Sequence, residues 1–83
     1  MHLLFNQQQI DYKYVLTNLF RSNNVQQAIN TERLFKAFLL KHKQALRKSD
    51  IHKINFDFYY LLNKKLGIII KITQIEIYLK QKS

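Results

Sequence analysis

Residues 30–48, reading NTERLFKAFLLKHKQALRK, are the longest periodic stretch of the chain, and they limit what the rest can be. At about 100° per residue, Leu34, Phe35, Phe38, Leu39, His42, Ala45 and Leu46 fall on one apolar arc, while Arg33, Lys36, Lys43, Gln44, Arg47 and Lys48 fall opposite. The pattern predicts a helix of about five turns with one face in a core and the other cationic. Asn30 or Thr31 supplies a side-chain oxygen for its free first-turn amides. Glu32 stands at the end that favours an acid, and Lys43, Arg47 and Lys48 at the end that favours cations.

The flanking segments are read against this helix. Residues 10–20 predict a first helix, with Ile10, Tyr14, Leu16 or Thr17 and Phe20 near one face, widened by Val15 and Leu19; Asp11 marks its start and Arg21 its end. Ser22, Asn23 and Asn24 break the pattern, and residues 25–29 add a helical turn leading into the central helix. Beyond it, Ser49 and Asp50 end the basic run, Asn55 can cap a third helix over 56–66, and Gly67, the only glycine, stands where a helix end needs a left-handed residue. Residues 68–79 are dense in isoleucine and read as strand. Ile68, Ile70 and Ile72 share one phase, and Ile75, Ile77 and Leu79 the other, so a bulge near Thr73 and Gln74 is expected, with a helical restart at Thr73 the weaker alternative. Such a strand needs a mate, either Met1 to Phe5 or another chain. The fold class expected is therefore mainly α with a small β element. It is a three-helix domain followed by a C-terminal β-strand or bulged strand pair, one small basic domain over 1–83, with Leu16, Leu34, Phe38, Leu61 and Leu66 in the core.

Chemistry that needs special parts is not indicated. The chain has no cysteine, no Gly-rich phosphate loop and no HExxH, and its acids are scattered without a pair at helix spacing, so neither an enzyme nor a cofactor or metal site is expected. His2 has no second ligand at metal spacing; His42, on the apolar arc, is expected to be buried and hydrogen-bonded to backbone or to a tyrosine. No run approaches the length of a membrane span, and Met1 to Phe5 is too short, and lacks the basic flank, for a signal peptide.

Charge is the informative property. The net charge is +9, yet up to Glu32 the acids Asp11 and Glu32 cancel Lys13 and Arg21. After that point Arg33, Lys36, Lys41, Lys43, Arg47, Lys48 and Lys53 face the single acid Asp50, the local density expected of a polyanion contact. A solvated helix face would mix signs, with acids placed before bases. Five of these side chains on one helix face would span a strip about 20 Å long, and these seven residues are the expected RNA-binding set, with His52 a phosphate neighbour. Among the aromatics, Phe56 and Phe58 are expected in the core, whereas Tyr59 and Tyr60 fit core packing and stacking on an unpaired base about equally. Leu40, exposed among lysines, suggests that the cationic face also touches protein.

Ile, Lys, Asn, Phe and Tyr, whose codons are AT-rich, make up nearly half the chain. An AT-rich genome, such as that of a mitochondrion or other organelle, is the expected source, and an organelle-encoded protein needs no import peptide. The functional expectation is a structural RNA-binding protein of a ribonucleoprotein particle, an organellar (mitochondrial) ribosomal protein contacting rRNA through a basic helix. Neighbouring proteins would pair as strands through Ile68 to Leu79. Two alternatives stand beside it: a winged-helix DNA-binding protein, and an accessory subunit of a membrane-bound respiratory complex using its basic face on anionic headgroups.

Overall fold

In the computed structural model, which describes residues 11–82, Asp11 is the N-cap of the first helix, α1 (Tyr12–Phe20), its carboxylate accepting from the Tyr14 amide at 2.7 Å. Arg21 closes that helix, its amide bonding back to the Thr17 carbonyl at 3.1 Å. After the turn through Asn23, Asn24 caps α2 (Val25–His42) by accepting from the Gln27 amide at 2.9 Å, while Gln27 Oε1 accepts from the Asn23 amide at 2.8 Å. This reciprocal cap starts α2 ahead of Asn30 and Thr31, which lie inside it.

α2 stops at His42 and does not reach Lys48. The His42 carbonyl accepts from the amides of Ala45 (2.9 Å) and Leu46 (3.1 Å), closing a turn that sends the chain back. A helix continued to Lys48 would leave Phe35 stacked only on Phe38 of its own helix, with nothing from α3 against it. Reversal at His42 sets Phe58 flat on it, with ring centroids 4.1 Å apart and planes 7° from parallel.

The third helix, α3 (Lys48–Lys82), runs for 35 residues and overturns the expected β element. Residues 68–79 are helical, and no strand occurs among the described residues. Asn55 does not cap a helix start, since its amide donates to the Ile51 carbonyl at 3.1 Å inside α3. Gly67 is not a C-cap either: no glycine has positive φ, and helix continues on both sides of it. The reason is a balance of magnitudes. Each isoleucine costs at most about 0.7 kcal/mol in a helix and the glycine about 1 kcal/mol, whereas an unpaired strand leaves a whole row of amides and carbonyls without partners. Once the packed half of α3 has nucleated, propagation adds one internal hydrogen bond per residue.

Val15 and Leu19 from α1, Ala28, Phe35 and Phe38 from α2, and Phe58, Leu62 and Ile69 from α3 are buried together. Of the expected core, Phe38 is buried, while Leu16, Leu34, Leu61 and Leu66 are half-buried against it. The inward face of α1 is rotated from the expected one, with Val15 and Leu19 fully buried and Tyr14 and Phe20 exposed. α1 runs parallel to α3, tied at its end by the Lys65 ammonium, which donates to the Phe20 carbonyl at 2.8 Å. α2 is antiparallel to both.

Past Ile69 the bundle ends but α3 does not. Every residue from Ile70 to Lys82 is exposed, so the last ~20 Å of the helix projects as an arm. Ile70, Ile72, Ile75, Ile77 and Leu79 lie on it, each about half exposed. Met1 to Phe5, His2 and Ile10 fall outside the described residues.

Candidate nucleic-acid interface

Arg33, Lys36, Lys43, Arg47 and Lys48, the five of the seven predicted phosphate-binding residues expected on one helix face, do not share one. Arg33 and Lys36 lie on the solvent side of α2, Lys41 near its end, Lys43 at its C-cap, Arg47 in the turn, Lys48 at the first position of α3 and Lys53 within that helix; all are exposed. The turn at His42 thus divides the expected strip. Lys41, Lys43, Arg47 and Lys48 gather at the α2–α3 end of the bundle, and Arg33 lies about 15 Å back from Lys43 along α2.

Two acids meet the predicted basic residues, one at this end and one farther back along α2. Asp50, in the first turn of α3 where the helix dipole favours it, accepts from Arg47 Nε at 3.2 Å. Glu32 is 3.9 Å from the Lys36 ammonium, and the same carboxylate oxygen accepts from the Tyr59 hydroxyl at 2.7 Å. Burial, then the hydrogen bond to Glu32 and its charge, push the Tyr59 hydroxyl up to about 12. Glu32 is therefore committed to the fold, and Lys36 meets it only at long range. An end of this kind offers ammonium and guanidinium donors to successive phosphate oxygens without base-reading geometry.

His42 is half-buried beside the Phe38 ring, with centroids 4.9 Å apart, and the expected hydrogen bond is not made at its Nε2: that atom and the Tyr12 hydroxyl are buried without partners among the described residues. The aromatic residues of α3 divide sharply. Phe58 is core, and Tyr59 is held by Glu32 and sits edge-on to Phe35. Tyr60 is 51% exposed and Phe56, expected inside, is 72% exposed. Sequence reading misplaced Phe56 because a helix broken at Gly67 gives too little length to fix which arc faces the core.

No helix among the described residues is long and apolar enough to cross a membrane. Comparison with protein-family models, curated proteins and solved structures yields no match.

Proposed function

We propose that this chain is a structural RNA-binding component of a ribonucleoprotein particle, an organellar ribosomal protein whose α2–α3 end neutralises rRNA phosphates. The observation that carries the reading is the gathering of Lys41, Lys43, Arg47 and Lys48 around a turn whose one nearby acid is Asp50. The apolar arm of α3 supports it, because exposed isoleucines on a projecting helix are surface that a neighbouring protein of a large assembly would cover. Such docking is helix against protein and not the strand pairing expected from residues 68–79. The winged-helix alternative loses its wing, since the described residues contain no strand.

Changing Lys43 and Arg47 together to Glu tests the reading. Each lost phosphate contact should flatten the dependence of log affinity on log salt by about 0.7–0.9, with helix content by circular dichroism unchanged. Unaltered RNA binding at low salt would remove this end from the interface; weakened vesicle binding without any effect on RNA would favour the respiratory-subunit alternative.

A further inference from the structure

The side of α3 that faces away from the bundle carries a second, differently built surface. By helical geometry Phe56, Tyr60 and Tyr78 fall in one arc of about 80° centred opposite Phe58, Leu62 and Ile69. Lys53, Lys64, Lys71 and Lys82 fall in the same arc. It contains no acid: Asp57 stands at its border, and Glu76 lies on the far side of the helix. The three rings are 51–72% exposed. Phe56 and Tyr60 are nearly parallel, with planes 14° apart, so they share one stacking direction. Lys64 Nζ lies 4.9 Å from the Tyr60 centroid, and Lys82 Nζ lies 5.6 Å from that of Tyr78.

Gly67 lies in the middle of this arc. It has no conformational cause, because its φ is not positive, and no packing cause, because an added Cβ would meet nothing within 4 Å. A glycine that weakens a helix without serving the fold leaves one open, low point on an otherwise aromatic and cationic stripe, suited to close approach by a partner's backbone.

We infer that this face of α3 binds an unpaired polynucleotide segment, with bases stacking on Phe56, Tyr60 and Tyr78, phosphates near Lys53, Lys64, Lys71 and Lys82, and the backbone crossing at Gly67. The choice of a polynucleotide rests on charge complementarity: aromatic faces interspersed with lysines and free of acids are a platform for bases joined by phosphates, whereas an apolar protein partner would not call for four cations along the same stripe. The inference rests on the RNA reading above and adds a class of ligand to it, single-stranded against the sequence-independent phosphate contact of the α2–α3 end.

The test uses the full chain, an oligouridine of about 16 nucleotides and an RNA duplex, both at low salt. The Phe56→Ala/Tyr60→Ala variant should weaken oligouridine binding roughly tenfold or more and leave duplex binding unchanged, with an unaltered thermal melt. The Lys43→Glu/Arg47→Glu variant should weaken both. Gly67→Gln should weaken oligouridine binding alone, and the indole fluorescence of Tyr60→Trp should be quenched as oligouridine is added. Oligouridine binding equal to wild type in the aromatic variant, with duplex binding intact in wild type, overturns the stacking face and leaves the RNA reading standing. A wild-type chain that binds neither probe overturns both.

Discussion

The Tyr59 hydroxyl donates to the Glu32 carboxylate at 2.7 Å across 27 residues of sequence, and this contact holds α2 against α3 outside the apolar core. Removing it with Tyr59→Phe is expected to cost about 1 kcal/mol and to lower the melting temperature by roughly 4–8 °C for a domain of this size. The pH dependence has a definite sign. The hydroxyl loses its proton at about 12 in the folded chain against 10.0 ordinarily, so its contribution is complete below pH 10 and disappears as pH rises through 12. Melts of wild type and Tyr59→Phe should therefore differ by a constant amount up to about pH 10 and converge above it. A difference that widened with alkaline pH would contradict the contact.

Phe56 and Phe58, two positions apart, should respond oppositely to truncation. Phe58 is fully buried on Phe35, and Phe58→Ala should cost about 3–5 kcal/mol, enough to abolish a cooperative melt in a chain this small. Phe56→Ala should stay within ~0.5 kcal/mol of wild type. Equal effects in a circular dichroism melt would refute the orientation of α3.

Gly67→Ala distinguishes a continuous helix from a capped one. In the interior of α3, with open space at the Cβ, alanine should stabilise by up to about 1 kcal/mol and raise helix content. At a left-handed C-cap the same change would destabilise.

The exposed arm predicts self-association of the isolated protein. Ile70→Lys/Ile77→Lys should reduce light scattering and sedimenting aggregates while leaving the melt of the bundle in place. A monodisperse wild type with no change in the variant would show that these isoleucines are tolerated in water.

What could be read from the sequence was set by how local its cause is. Asp11 and Arg21 bracket α1 as their chemistry dictates, the break at residues 22–24 is real, and Phe38 is buried as its periodicity implied. The end of α2 was not legible, because no Gly or Pro marks it and the turn answers to Phe58 meeting Phe35. The C-terminal segment was misread for the converse reason. Its isoleucines and Gly67 carry strong local strand and cap signals, and the helix they form is dictated by continuity with the packed half of α3. The exposure of the basic residues was legible and their arrangement was not, since it depends on that same turn at His42. The outer aromatics needed the full length of α3 before their common arc could be seen.

The unbroken course of α3 makes angular phase a property of the molecule. With no hinge between Lys48 and Lys82, the direction in which the arm presents Ile70 and Ile77 is locked to that of the basic end, over a body 55 Å long. Two residues inserted beside Gly67 would swing the arm by about 200°, whereas seven would return it to nearly its original bearing about 10 Å farther out. An assembly that grips both ends would tolerate the second change better than the first.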